Sequence, residues 1–185
     1  MAMPPELQKL MDELDAADRD AKAVADGLDE RQGAWRASSD AWSVAECLDH
    51  LAVANRVYLA PIVVAAAGGR AQGRMRRGPA LPGVIGRWFA NHMEPPVKMK
   101  TKNPTVSTPR TSPPLADSLS AFLESQDSVR DFIRTNADLD LAGIRFVNPF
   151  VRGIRFSLAT GLHVITAHDR RHLWQAWNVR RAAAR

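Results

Sequence analysis

Two histidines lie four residues apart towards the end of the chain, in the stretch AHDRRHLWQ. In a helix, residues at this spacing lie one above the other on the same face. Neutral imidazole is a common metal ligand, so His168 and His172 could supply two ligands to one ion. The helical zinc-protease motif requires a glutamate directly after its first histidine, and Asp169 occupies that position. The pattern therefore favours a metal site and excludes that protease class.

Both histidines are predicted to face the interior of the protein. On a helical wheel, His168 and His172 fall on the arc that also holds Leu158 and Ile165. His163 falls on the opposite side of the same helix. We therefore exclude it from the predicted ligand set.

A third inward-facing imidazole is predicted on another helix. His50 lies in WSVAECLDHLAVAN, on an arc shared with Val53 and Val57. Side chains of facing helices build metal sites in the cores of helical bundles, and three protein ligands leave a position open for chemistry. We predict a metal site of His50, His168 and His172. The alternative is a hydrogen-bonded histidine cluster without metal.

Other polar residues near the predicted ligands allow two interpretations each. Glu46 could orient a ligand or act as a catalytic base, but it also completes a capping box with Ser43. Asp169 and Gln175 could hold the ligand rings by hydrogen bonds. Cys47 could be a fourth ligand, although packing in the core is the favoured role for a lone cysteine.

The elements that must position these residues are four amphipathic helices in one domain, residues 1–185. The first spans about residues 6–28, and Ser43 begins the second, with Trp42 packing on Cys47. Pro61 is expected to kink the second helix, and Gly68 with Gly69 to end it. The third helix is predicted to begin at Ser112, with Pro113 in its first turn, and to end at Asn136. The fourth is predicted to run from Ser157 to about Arg181.

Residues 68–114 form an unusually long connection between the second and third helices. The segment is rich in Gly, Pro and basic residues, with one short predicted helix in GVIGRWFANHM. Such a connection is typical of a bundle in which two consecutive helices run parallel. The stretch between the third and fourth helices is predicted to cover one end of the bundle, and no pair of strands is predicted. The fold class is an all-α four-helix bundle.

Composition limits the classes of partner. The net charge of +5 includes four arginines in one loop, Arg70, Arg74, Arg76 and Arg77. No aromatic residues are interleaved with them, so specific nucleic-acid binding is not expected. No signal peptide and no apolar run of about 20 residues are evident, so a cytoplasmic protein without a membrane span is expected. The single cysteine excludes an internal disulfide.

Aromatic residues on the outer side of the fourth helix predict a subunit interface. Trp174, Trp177 and His163 share that side. His92 lies in the long connection and is expected to be exposed.

The motifs resemble those of the DinB-like superfamily. WSVAECLDHLAVAN resembles the Trp-Ser…Glu…His-Leu opening of that family's second helix, and LHVITAHDRRHLWQ its fourth-helix His-x-x-x-His followed by Gln. With the long connection, the resemblance covers nearly the whole chain. It implies up-down-down-up topology, a homodimer, and a divalent ion (zinc, nickel or another) on His50, His168 and His172.

The resemblance also implies a reaction. Related enzymes include S-transferases and isomerases that use low-molecular-weight thiols such as bacillithiol, mycothiol or glutathione. The implied function is thus a metal-dependent thiol S-transferase acting on a small molecule, with Glu46 the one candidate catalytic residue beyond the ligands. Two alternatives stay open: a non-catalytic metal- or ligand-binding module, and a metal-dependent hydrolase.

Overall fold

The fold is a bundle of four long helices with short elements at its edges. The computed structural model describes residues 2–96, 107–151 and 153–184. The long helices are α1 (Pro5–Ala25), α3 (Val44–Ala71), α5 (Leu115–Asn136) and α6 (Leu158–Ala183). The short elements are α2 (Glu30–Gly33), α4 (Val84–Met93), β1 (Arg145–Val147) and β2 (Arg155–Ser157). The predicted all-α class is confirmed, as is the short helix in the long connection.

The four long helices form a ring in which α3 packs between α5 and α6, and α1 closes the other side. The order of the contacts gives the helix directions. α1 is parallel to α6, α3 is parallel to α5, and α3 is antiparallel to α6, which is up-down-down-up topology. The contacts are Glu13–Arg170 and Asp20–Trp177 for the first pair, Arg56–Ala121 and Arg70–Thr135 for the second, and Asn55–Asp169 and Ile62–Gly161 for the third.

Side-chain caps define where α3 and α6 begin, as predicted. The Ser43 hydroxyl accepts the Glu46 N–H and the Glu46 carboxylate accepts the Ser43 N–H, which is a complete capping box. At the start of α6, the Ser157 hydroxyl accepts the Thr160 N–H. These caps set the helix register of the histidines that follow.

The start of α5 differs from the prediction. Ser112 lies outside the helix with φ +49°, and Pro114 is the residue before the first turn. The reason is steric, because a residue that precedes a proline is disfavoured in helical geometry and Pro113 precedes Pro114. The Glu30 carboxylate of α2 accepts the Leu115 N–H instead of a serine cap.

The end of α3 also lies later than predicted, at Ala71. The helix continues through Pro61 and through both glycines. Gly69 is buried against Ile144, and a Cβ there would lie 2.4 Å from the Ile144 Cδ1. This glycine is therefore a packing residue and not a stop signal.

The segment between α5 and α6 contains a strand pair that the sequence did not predict. β1 and β2 are antiparallel, with Phe146 opposite Phe156 and both rings buried. Each strand has three residues, too few for an alternating pattern to be recognised. The expectation of no strands is wrong at this point, while the pair does cover one end of the bundle.

α3 alone among the described helices is long and apolar enough to cross a membrane by length and composition. Its position explains that composition, because it packs against both α5 and α6. It also buries Glu46, Asp49, His50 and Asn55. Part of the apolar surface of α3 therefore lies in the bundle core, while Val63 and Val64 are exposed.

Candidate metal site

The three predicted ligands meet in the bundle. One ligand atom from each of His50, His168 and His172 lies within 4.8 Å of the other two. The Nε2 atoms of His50 and His168 are 3.3 Å apart. Two nitrogens bound to zinc at about 2.0–2.1 Å with a tetrahedral angle lie about 3.3–3.4 Å from each other. The separation of these two atoms therefore fits a shared ion.

Close packing of α3 on α6 brings the ligands together across 118 positions of sequence. Asn55 donates to the Asp169 carboxylate at 3.1 Å beside the site. Further along, Gly161 lies against Ile62, where an added Cβ would be 2.6 Å from the Ile62 Cδ1. The small residue lets the two helices approach closely.

Hydrogen bonds at Nδ1 orient two of the three rings. The Nδ1–H of His50 donates to the Ser107 carbonyl at 2.5 Å. The Nδ1 of His172 lies 3.0 Å from the Gln175 Oε1, which can only accept. Both rings therefore carry their proton on Nδ1 and leave Nε2 as a free lone pair. Gln175 thus contacts a ligand ring, as predicted, and the Ser107 contact was not predicted.

Burial keeps the imidazoles neutral. His50 is 1% exposed and His172 is 9% exposed, whereas His168 is half-buried. Burial lowers the pKa of His50 to about 4. Burial lowers the pKa of His168 well below its usual value, and repulsion from a protonated His50 and from Arg171 would lower it further. Burial, with repulsion from the other two histidines, lowers the pKa of His172 in the same way. Neutral imidazole is the form that binds metal.

Trp42 forms a wall of the site. Its ring centroid lies 4.7 Å from that of His50 and 5.7 Å from that of His172. The sequence predicted only packing of Trp42 on Cys47, since a staple residue and a site residue look alike in sequence. The indole shields two ligand rings from water.

The other predicted site residues have different partners. One oxygen of the Glu46 carboxylate accepts the Ser43 N–H, and the other accepts a hydrogen bond from Arg36. Both oxygens are therefore occupied. Cys47 is fully buried, burial raises the pKa of its thiol, and its sulfur is outside the group of ligand atoms. The structure thus favours capping for Glu46 and packing for Cys47.

Asp169 is fully buried in the bundle. Its carboxylate accepts the side-chain amides of Asn55 at 3.1 Å and Gln126 at 2.7 Å. Burial raises the pKa of Asp169 to about 7. Its hydrogen bonds tie α6, which carries His168 and His172, to α3 and α5.

The outer side of α6 is covered more than predicted. The Trp177 indole donates to Asp20 of α1 at 2.7 Å, and His163 is half-buried. Trp174 is the exposed member of the predicted aromatic face. The physical reason is that α1 packs along this side of α6. His92 is exposed, as expected, and stacks on Trp88.

Comparison with known proteins identifies the fold family. The family model of the DinB superfamily matches residues 13–176. The chain belongs to the DinB superfamily. Among solved structures it is similar to YfiT from Bacillus subtilis, described as a probable metal-dependent hydrolase with an unusual four-helix bundle topology. The identity is 15%, the TM-score is 0.63, and the match covers 99% of this chain and 91% of YfiT.

The similarity to YfiT at 15% identity shows a shared fold. No curated protein matches the chain. The chemistry of this DinB-superfamily member therefore has to be argued from its own side chains. In the part of the chain that the structure describes, His50, His168 and His172 form the one group able to hold a metal ion.

Proposed function

We propose that this protein binds one divalent metal ion through the Nε2 atoms of His50, His168 and His172. The observation that carries the proposal is the convergence of three neutral imidazoles, two of which have Nδ1 committed to hydrogen bonds. Three nitrogen ligands suit zinc, nickel and other divalent ions. They also leave at least one position for a substrate atom.

We further propose that the protein is a transferase that uses a low-molecular-weight thiol. A divalent ion in this site would lower the pKa of a bound thiol and so supply a thiolate at neutral pH. The group of ligand atoms contains no carboxylate from the described residues. No described carboxylate therefore stands among these atoms to act as a general base, and we favour attack by a metal-bound thiolate over base-assisted attack by water.

The residues around the proposed ion have distinct tasks in this reaction. Gln175 and the Ser107 carbonyl hold two rings in position, and Trp42 limits access by water. Burial is the main cause of the lowered pKa of His168 and His172, and the positive charge of Arg171 adds to it. The same charge would favour an anionic thiolate at the ion. His168 is the least buried of the three histidines, and we propose that substrates approach the ion from its side.

The first experiment is metal content, measured by elemental mass spectrometry. We expect about one divalent ion per chain in the wild type, and loss of that ion in His50→Ala, His168→Ala and His172→Ala. His92→Ala is the matched control, because His92 is exposed and outside the triad. A wild type without metal after reconstitution, or metal retained by all three triad variants, would overturn the proposal.

The second experiment separates the candidate reactions. The loaded protein is incubated with bacillithiol, mycothiol or glutathione and an alkyl halide or epoxide, and loss of free thiol is followed. The hydrolase, favoured by the description of YfiT, is tested in parallel with ester and amide substrates. Turnover that needs thiol and is lost in His172→Ala supports the transferase. Metal without turnover of either kind would indicate a binding module.

We also propose that the protein is a cytoplasmic homodimer with a small-molecule substrate. The support is the family to which it belongs, together with a set of exposed apolar side chains on one helix. These side chains are Val84, Ile85 and Trp88 of α4. Such patches on folded proteins commonly mark interaction sites.

A further inference from the structure

We infer that an ion pair between Asp49 and Arg110 positions His50 for metal binding, acting through the Ser107 carbonyl. We name this pair the Asp49–Arg110 clamp. The inference rests on the proposed metal site. It assigns a role to the last part of the long connection between α3 and α5, which directly precedes α5.

The clamp involves three separate contacts with one buried carboxylate. The Asp49 Oδ2 accepts the backbone N–H of Arg110 at 2.7 Å. The Asp49 Oδ1 accepts the Arg110 Nε–H at 2.8 Å and lies 2.7 Å from Nη2. The Asp49 side chain is 3% exposed, although that of Arg110 is 57% exposed. Both the backbone and the side chain of Arg110 are thereby fixed to α3.

The same connection reaches the neighbouring residue of α3. Ser107 precedes Arg110 by three positions, and its carbonyl accepts the His50 Nδ1–H at 2.5 Å. Asp49 and His50 are adjacent on α3, so two successive helix residues hold two points of one short segment. The clamp fixes the end of this segment, and the carbonyl fixes the ring.

The carbonyl selects one form of the imidazole. A carbonyl oxygen can only accept, so His50 must carry its proton on Nδ1 and present Nε2 to the other two histidines. If the segment moved away, the ring could take the other tautomer or rotate out of line. Loss of such supporting hydrogen bonds typically lowers metal affinity about 10- to 100-fold.

A purely structural role gives a different expectation. Asp49 is buried, and removing the partner of a buried carboxylate destabilises a protein regardless of any metal. A structural ion pair would change the free energy of unfolding and leave the His50 ring in place. The positioning role requires a change at the ring itself.

The test compares Arg110→Ala with Arg70→Ala. Arg70 is the matched control, because it is a partly exposed arginine that joins the other end of α3 to Asp138 with two bonds of 2.9 and 2.7 Å. Zinc affinity is measured by competition with a chelator, and the His50 tautomer by the ¹⁵N chemical shifts of its ring without zinc. Urea unfolding reports stability for both variants, and Arg110→Lys serves if the alanine variant does not fold.

We expect Arg110→Ala to bind zinc about 10- to 100-fold more weakly than the wild type and to show mixed tautomers at His50. Arg70→Ala should match the wild type in both respects. By linkage, zinc should also slow hydrogen exchange at the Arg110 amide. Equal zinc affinity and an unchanged His50 tautomer in Arg110→Ala would overturn the inference while leaving the metal site intact. A wild type that binds no zinc would overturn both the proposed metal site and the role of the clamp.

Discussion

At the residue scale, this site depends on which nitrogen of each imidazole carries the proton. His50 and His172 are set by acceptors at Nδ1, namely the Ser107 carbonyl and the Gln175 side chain. The two acceptors differ in kind, since one belongs to the backbone of a distant segment and the other is a side chain one turn along the same helix. Only the Gln175 side chain can be removed by a single substitution, because the other acceptor is a backbone carbonyl.

Removing the Gln175 acceptor should weaken metal binding. In Gln175→Ala, the His172 Nδ1 loses its partner at 3.0 Å, so we expect zinc affinity to fall about 10- to 100-fold. Chelator competition measures the change. Asn178→Ala serves as the control, because Asn178 bonds Arg181 on the exposed part of α6. Equal affinities for the two variants would contradict a role for Gln175.

Metal affinity should be nearly independent of pH in the neutral range. The pKa of His50 is lowered to about 4 and those of His168 and His172 lie well below 6.5. Protons therefore compete with the metal only as the pH falls towards those lowered values. We expect less than about threefold change in cobalt affinity between pH 8 and pH 6.

Direct titration with cobalt, followed by its absorption spectrum, measures this dependence. Three histidines with the ordinary pKa of about 6.5 would lose roughly 70-fold in affinity over the same range through protonation. A loss of that size would show that burial does not keep these rings neutral.

The ligands could be predicted from sequence because helical periodicity determines which side chains face inward. His50, His168 and His172 all follow that rule. Ser107 could not be found in this way, since its contribution is a backbone carbonyl, which every residue has. Trp42 and Asp49 were missed because their partners come from tertiary packing, which periodicity does not describe.

At the element scale, the spacing between α3 and α6 decides whether ligands from the two helices can share an ion. Gly161 sets that spacing. The helices themselves were predicted from amphipathic patterns and caps. Their contacts at glycines were not predicted. Gly69 reads as a stop signal in sequence, and the helical pattern around Gly161 does not show which residues pack against it.

Gly161→Ala should separate the two helices. The new Cβ would lie 2.6 Å from the Ile62 Cδ1 and 2.9 Å from the Phe146 ring, so we expect a loss of about 1–3 kcal/mol in the free energy of unfolding and weaker zinc binding. Gly68→Ala is the control, because nothing lies within 4 Å of its Cβ position. That change should be neutral or stabilise by up to about 1 kcal/mol. Urea unfolding of both variants decides the matter.

At the scale of the whole molecule, the parallel pairing of α3 with α5 requires the long connection that the sequence revealed. That connection also places α4 on the outside of α6, where the outward face of α4 is apolar. On the predicted aromatic face of α6, Trp177 bonds to Asp20 of α1, while Trp174 is exposed. The apolar face of α4 is more exposed still, and we propose it as the contact between subunits.

Ile85→Asp should convert the proposed dimer to a monomer. Ile85 is 76% exposed in the single chain, so a charge there should cost little in folding but disrupt an apolar contact. Val64→Asp is the matched control on α3, at 73% exposure. Size-exclusion chromatography with light scattering measures the mass. A dimer that survives Ile85→Asp, or that dissociates only with Val64→Asp, would exclude this face.

The short distance between the Nε2 atoms of His50 and His168 has a consequence for the metal-free protein. Since His50 carries its proton on Nδ1, two bare lone pairs would repel each other at 3.3 Å. The metal-free protein avoids this if His168 carries its own proton on Nε2 and donates it to His50. To hold an ion together with His50 through Nε2, His168 would have to carry its proton on Nδ1 instead, and both rings would stay neutral.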